Sequence, residues 1–527
     1  MANSTTPSPE KTNPTDARTG LLLLISIFVL AVCGLVYELI AGTLASYLMG
    51  DSITQFSLVI GIFLSAMGVG AYLSRFLNGP LVAWFVGIEL LIGLIGGSSA
   101  LIGFFLFATT AIYVQALYFL IAMVGMFIGM EIPLVIRILT EKDPLRITIA
   151  NVLAVDYVGA LFASLLFPFV LVPHLNLVSA AFCMGFLNVM VAALLLRRMS
   201  TDIERFRSPL IIATCFLAGL MVGGMIFSER LVSYFENQIY KNDIIFAQNT
   251  KYQRVIITRW RNDIRLFLNG HLQFSTIDEY RYHEPLVQPA MHLAEQHKNI
   301  LILGGGDGLA AKEILKHRDV EHIDLVDLDP VVTNLFKTHP LFSSDLVNEG
   351  SLKEKRVTIH NKDAMQFLMT SQNFYDVIII DLPDPNEPAL AKLYSQGFYQ
   401  LAERRLAEGG AIVTQATSPL RSRKAFWCIV HTMQQVTTKT GETKLHVSPY
   451  HTTVPTFGIW GFVIATRKKH DVTKIKLNVP TKYLSEKTLS NMFNIPKDIG
   501  EIKTPVTTLK DAAVHRLYEQ GYHKYLD

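Results

Sequence analysis

Residues 299–308 read NILILGGGDG, an apolar run closing on three glycines and an aspartate. Four aliphatic residues bounded by a glycine cluster have the pattern of a parallel strand buried on both faces, and the LAAKEILKH that follows has the spacing of an amphipathic helix. A strand, a tight glycine turn and a helix let backbone approach a small ligand above the carboxyl end of an open α/β sheet. Asp307 narrows the ligand, because a carboxylate inside this loop repels a pyrophosphate and suits a cation.

Further along the chain the alternation of strand and helix continues. Apolar segments at 322–327 and 375–380 end at Asp327 and Asp381; a short one near 357–360 precedes Asp363, and another spans 410–415. That order predicts an open, mostly parallel sheet. An antiparallel pair is expected near 443–447 and 460–465, and residues 471–527, without strong periodicity, as a docked extension. Upstream, residues 243–275 alternate β-branched and aromatic residues and contain Asn269-Gly270, a hairpin turn, so a small antiparallel sheet is expected there.

The first half is of another kind. Residues 1–17 are polar and rich in Pro, Thr and Ser, the composition of a disordered tail with no cleavable leader pattern. Apolar runs of spanning length, about 20 residues in a hydrocarbon core, cover 20–41, 55–74, 81–106, 111–136, 149–173, 176–196 and 209–227. The expected organisation is a tail at 1–17, a membrane domain of seven helices at 18–228, a small β domain at 229–290, a Rossmann-like, methyltransferase-type α/β domain at 291–470, and the extension. Arg and Lys cluster before the first run and after the second, fourth and sixth. The positive-inside rule then makes the amino terminus cytoplasmic and puts everything after a seventh crossing outside.

Four acids fall in or beside these runs, Glu38, Glu89, Glu131 and Asp156. Ionisable side chains at membrane depth are costly and face polar interiors, so acids of one sign suggest a site for cations or protons. Gly61, Ser65, Gly68 and Gly70 have the spacing of a helix-packing stripe. The net charge of +3 and the absence of a basic stripe point away from nucleic acid. The four cysteines are widely separated and the histidines lack ligand spacing, so neither disulfides nor a metal site is expected.

Acidic residues thus stand at or just beyond successive strand ends: Asp307, Asp327, Asp363 and Asp381, with Asp384 three residues later. Each alone could be a cap or a loop acid. Asp327, one helix after the glycine turn, is about where an acid binds a ribose diol.

The sequence resembles the spermidine synthase (polyamine aminopropyltransferase) family, in the subgroup with an amino-terminal membrane region. The resemblance rests on KYQ at 251–253, DEYRYHE at 278–284, GGGDG at 304–308, DLVDLDP at 324–330, KDAMQF at 362–367 and YDVIIIDLPDPNEP at 375–388. It implies transfer of an aminopropyl group from decarboxylated S-adenosylmethionine, a co-substrate and not a bound cofactor, to putrescine or a related diamine. Asp381 would then be the catalytic base. Gln253, Gly304, Gly305, Gly306, Asp327, Asp363 and Ala364 would hold the methylthioadenosine part, and Gln273, Tyr282, His283, Asp307 and Asp384 the amines. The family also implies a homodimer or homotetramer.

Two departures stand out. Leu382 and Pro383 replace the serines common between the two aspartates, and Phe457 stands where a tyrosine is frequent. The rival readings are a methyltransferase, which would have to seat a carboxylate beside Asp307, and a polyamine transporter whose second half makes or senses its cargo. The expected location is an integral, multi-pass cell (inner) membrane protein. A cytoplasmic co-substrate puts the catalytic half inside, against the charge rule.

Overall fold

A computed structural model describes residues 14–49, 52–110, 112–140, 145–198, 206–240, 242–438 and 444–526. The chain forms two compact units, Met1–Asn242 and Asp243–Asp527. Of the expected tail, residues 1–13 lie outside the described residues, and the first helix begins at Pro14.

The first unit is helical: α1 (Pro14–Met49), α2 (Ser52–Leu73), α3 (Leu81–Thr109), α4 (Tyr113–Thr140), α5 (Leu145–Leu166), α6 (Leu177–Arg198) and α7 (Arg207–Tyr240). Among the described residues seven helices are long and apolar enough to cross a membrane. Their outer surface is that of a protein turned inside out. Phe119, Tyr157, Phe169, Ile212, Phe216 and Ile226 are 67–70% exposed, while Glu89 and Asn188 are buried. The seventh helix runs past the end of its apolar stretch to Tyr240. The glycine stripe divides: a Cβ on Gly70 would overlap the Met126 carbonyl and one on Gly129 the Met67 carbonyl, so α2 and α4 meet backbone to backbone. Gly61, Ser65 and Gly68, expected to pack helices, instead face outward.

The second unit opens with an antiparallel sheet, β1 (Asp243–Asn249), β2 (Arg254–Trp260), β3 (Asp263–Leu268) and β4 (His271–Ser275), in sequential order. Asn269 and Gly270, at φ 49° and 82°, supply the two left-handed residues that a tight hairpin needs. After α8 (Tyr280–Leu293) come β5 (Asn299–Gly304), α9 (Leu309–Ile314), β6 (His322–Asp327), α10 (Pro330–Thr338), β7 (Val357–Asn361), α11 (Ala364–Thr370), β8 (Tyr375–Asp381), α12 (Gln396–Arg404), β9 (Leu406–Gln415), α13 (Arg423–Gln434), β10 (His446–Val454), β11 (Gly458–Thr466), α14 (Glu486–Met492) and α15 (Ala513–Leu526). The large sheet has the order β10-β11-β9-β8-β5-β6-β7, parallel from β9 to β7 and antiparallel at β11 and β10.

The continuous apolar run in β5 follows from cover on both faces. Ile300 and Ile302 enter one hydrophobic core, and Leu301 and Leu303 the other. The chain winds outward from β5 through β6 and β7, then returns to begin β8 on β5's other side. The carboxyl ends of β5 and β8 therefore flank the crevice where open sheets bind ligands. The extension is tied to the core by Glu284, whose buried carboxylate accepts the backbone N–H groups of Tyr483 and Leu484, both at 2.9 Å.

Candidate active site

Parallel register puts Gly304 beside Asp381 at the ends of β5 and β8. The Gly305 N–H donates to the Asp381 carbonyl at 3.2 Å, and Gly304, at φ 87°, has no room for a Cβ against that same carbonyl. Gly306 donates to Asp327 Oδ2 at 3.1 Å, and a Cβ on it would come within 2.6 Å of that oxygen. Each glycine is thus fixed by a specific neighbour, and the loop holds Asp307 over the crevice, where Oδ1 accepts from the Leu309 N–H at 2.9 Å.

All the expected site residues of this unit, from Gln253 on the β1–β2 turn and Gln273 on β4 to Asp384, line one cavity of about 500 Å³. Asp381, buried beneath it, accepts from the Tyr282 hydroxyl at 2.8 Å and lies 4.0 Å from His283 Nε2. Burial raises the Asp381 carboxyl above its usual range, opposed by His283 and by the Tyr282 hydrogen bond. Burial likewise lifts Asp307, Asp327 and Asp384 to about 6. Four acids gathered on one cavity, each raised chiefly by burial, favour a cationic occupant.

Tyr282 and His283 sit on the first turn of α8, which Pro285 and Pro289 interrupt. Pro289 has no N–H to give the Pro285 carbonyl, which accepts the Tyr450 hydroxyl instead, at 2.8 Å. His283 Nδ1 meets Glu279 Oε2 at 3.1 Å, and Lys312 Nζ meets Glu279 Oε1 at 2.7 Å. Burial works against charge on both Glu279 and His283. Their mutual attraction, with Lys312, wins: Glu279 is held down to about 2, and His283, which also feels Asp381 and Asp307, is raised to about 9.

Asp363 and Gln253, expected on the adenosyl side, are each tied to protein partners. Asp363 caps α11, accepting from the Gln366 N–H at 3.0 Å, and also takes Lys392 Nζ at 2.7 Å. Gln253 Nε2 donates to Asp329 Oδ2 at 3.1 Å.

The loop after Asp381 is pinned by residues outside the expected set. Tyr394 donates to the Pro383 carbonyl at 2.8 Å and Gln415 Nε2 to the Leu382 carbonyl at 2.8 Å; Asp384 Oδ1 accepts from Gln415 at 3.3 Å. Asp384 Oδ2 accepts from Thr417 at 3.4 Å and from Tyr518 at 3.0 Å. Thr417 adopts φ 58°, a left-handed conformation that costs a β-branched residue energy. Asn386 Oδ1 and Trp460 Nε1 are buried on the cavity lining without a hydrogen-bond partner among the described residues. No motif marked Tyr518 or Thr417.

In the helical unit the structure brings Glu89 and Glu131 side by side. Asn188 Nδ2 donates to Glu89 Oε2 at 2.9 Å and Tyr37 donates to Asn188 Oδ1 at 3.2 Å. Glu38 and Asp156 are half-buried, and Glu38 makes no hydrogen bond or ion pair among the described residues. At the far end of the catalytic sheet, His297, His317 and Asp319 bring ligand atoms within 4.8 Å of one another, a grouping that linear spacing did not display.

An acid-lined crevice at the switch point of an open α/β sheet defines an enzyme class that takes small cationic molecules. Residues 279–477 match the spermine/spermidine synthase domain. Over 512 residues the chain is 42% identical to a polyamine aminopropyltransferase of Leptospira interrogans, covering 96% of this chain and 99% of that one. It is 41% identical over 526 residues to polyamine aminopropyltransferase 1 of Ralstonia nicotianae, covering 98% of each. A crystal structure of spermidine synthase in complex with the transition state analogue AdoDATO aligns at a TM-score of 0.43 and 24% identity, over 49% of this chain and 88% of that one. The chain belongs to the polyamine aminopropyltransferase family and is a transferase.

Proposed function

We propose that the protein transfers the aminopropyl group of decarboxylated S-adenosylmethionine to putrescine, giving spermidine and methylthioadenosine. The observation that carries this reading is the gathering of Asp307, Asp381 and Asp384 around one cavity with Asp327 at its nucleoside end. The donor is a sulfonium with a free ammonium and no carboxylate, and the acceptor is a diammonium, so both call for anionic partners. Intact S-adenosylmethionine would bring a carboxylate against Asp307, which disfavours a methyltransferase.

In this mechanism Asp327 takes the ribose diol, and the glycine loop admits the nucleoside. Asp307 holds the donor ammonium, while Tyr282, His283 and Asp384 line the acceptor's approach. Asp381 accepts the proton that one acceptor nitrogen must lose before its lone pair can attack. The new C–N bond forms on the methylene beside sulfur as the C–S bond breaks, and the electron pair stays on sulfur, leaving a neutral thioether. Fixing both reactants in line supplies much of the remaining acceleration.

The helical unit sits in the bilayer in this reading, with the catalytic unit on the cytoplasmic side where the adenosyl donor is made. The apolar exposed faces of α2, α4, α5 and α7 support the first part. A cysteine at exposed Glu408 should react with a membrane-impermeant maleimide only after cells are permeabilised. Reaction in intact cells would put the unit outside.

The reaction is tested on the purified full chain in detergent, supplied with decarboxylated S-adenosylmethionine and a panel of diamines. Spermidine and methylthioadenosine in equal amounts, detected by mass spectrometry and lost in Asp381→Asn, are expected. Methylated product from S-adenosylmethionine would overturn the reading.

A further inference from the structure

The family match ends at residue 477, but the cavity wall does not. Tyr518 and Tyr522, on α15, both line it. Their rings lie 4.5 Å apart between centroids, tilted by 30°, and the Tyr518 hydroxyl donates to Asp384 at 3.0 Å. From the same helix His515 Nδ1 bonds the Pro385 carbonyl at 3.0 Å, so one helix face grips the acid-bearing loop at two points. The helix is firmly seated. Ala513, Val514 and Tyr518 are buried in the core that also holds α13, and Gly521 lies so close to Ser422 that a Cβ would come within 2.7 Å.

Resting on the function proposed above, we infer that α15 forms part of the acceptor-amine site: Tyr518 positions the Asp384 carboxylate, and the Tyr518–Tyr522 pair closes the cavity to acceptors bulkier than a primary diamine. The geometry supports both halves. Gln415 donates to Asp384 Oδ1 and Thr417 and Tyr518 donate to Oδ2, which fixes the plane of the carboxylate and leaves lone-pair capacity on Oδ1 for an ammonium. The two tilted rings give the cavity an aromatic wall that a slender alkyl chain can lie against and that, in this proposal, blocks a further aminopropyl arm.

The ionisable and charged groups around Asp384 are Asp381 at the start of its loop, Tyr282 from α8, Tyr394 before α12, and Tyr518 and Tyr522 from α15, with Arg421 on the cavity wall. Among the described residues, Tyr518, Gln415 and Thr417 are the donors to its carboxylate. Removing the Tyr518 hydroxyl therefore disfavours the Asp384 anion, an effect that added hydroxide reverses and that a merely structural role would not produce.

The test compares the wild-type full chain with Tyr518→Phe and Tyr522→Ala in detergent, using putrescine, cadaverine and spermidine as acceptors across a pH series. For Tyr518→Phe, kcat/KM for putrescine should fall roughly tenfold at pH 7, the usual effect of losing one hydrogen bond to a charged group. It should recover at higher pH, with KM for the adenosyl donor unchanged. Tyr522→Ala should gain turnover with spermidine relative to putrescine. Unshifted pH profiles together with an unchanged acceptor order would overturn the inference. If wild type turns over no acceptor, the reading of function fails instead, and putrescine calorimetry then decides for α15: equal affinity in wild type and Tyr518→Phe overturns it, weaker affinity in the variant supports it.

Discussion

The Tyr282 hydroxyl donates to Asp381 at 2.8 Å, with the His283 imidazole 4.0 Å from the other carboxylate oxygen. A carboxylate held this way has one oxygen engaged by the protein and, on the function proposed above, the second open to the substrate. Asp381→Asn should lower turnover by about 10² to 10⁴, the range for losing a general base. Tyr282→Phe removes a donor that favours the Asp381 anion, so the acidic limb of its pH–rate profile should move to higher pH, with activity down roughly tenfold at pH 7. Product formation across a pH series measures both.

Asp307 illustrates stability given up for function. Burial raises its folded pKa to about 6, above the ordinary 3.8. A raised acid helps folding most when protonated and loses that contribution as pH climbs through 6, so the anion is a strain on the native state at pH 8. Asp307→Asn should therefore raise the melting temperature at pH 8, with the gain shrinking towards pH 4, while product formation collapses. A melting temperature unchanged at pH 8 would show that the loop already satisfies the charge.

The Glu279–His283 pair has the opposite sign. Glu279 falls to about 2 and His283 rises to about 9, against ordinary values of 4.5 and 6.5. The pair stabilises fully between those ordinary values, weakening as pH rises through 9 or falls through 2. Glu279→Gln should cost about 3–5 kcal/mol near pH 6, as breaking a buried ion pair does. The penalty should be smaller at pH 10, as read from denaturant midpoints at the two pH values.

Gly306→Ala would force Asp327 to move, since the added methyl meets its carboxylate at 2.6 Å. Methylthioadenosine affinity, measured by calorimetry, should weaken by a factor of ten or more, with the amine site little changed. An equal loss of putrescine affinity would mean that the whole loop has shifted.

The catalytic fold was legible because its signals are local. Aliphatic runs ending in Gly304, Asp327 and Asp381 mark strand ends, and a register of adjacent strands then gathers those ends at one edge. The acids at 307, 327, 363, 381 and 384 needed no further information to converge. Tyr518 and Thr417 gave no such signal: one lies in an extension of weak periodicity, and the other acts through an unusual backbone angle. The Glu89–Asn188 bond was hidden for a different reason. Apolar runs reveal helices but not which helices are neighbours, and these two residues are 99 positions apart. The outward stripe on α2 was misread because small residues fit a packed face and a lipid-facing one equally well.

The lining of the cavity runs from Tyr252 to Tyr522, within a few residues of the chain's last position, Asp527. The cavity is therefore complete only once segments as far apart in sequence as these two tyrosines have come together, so its formation reports on the folding of the whole second unit.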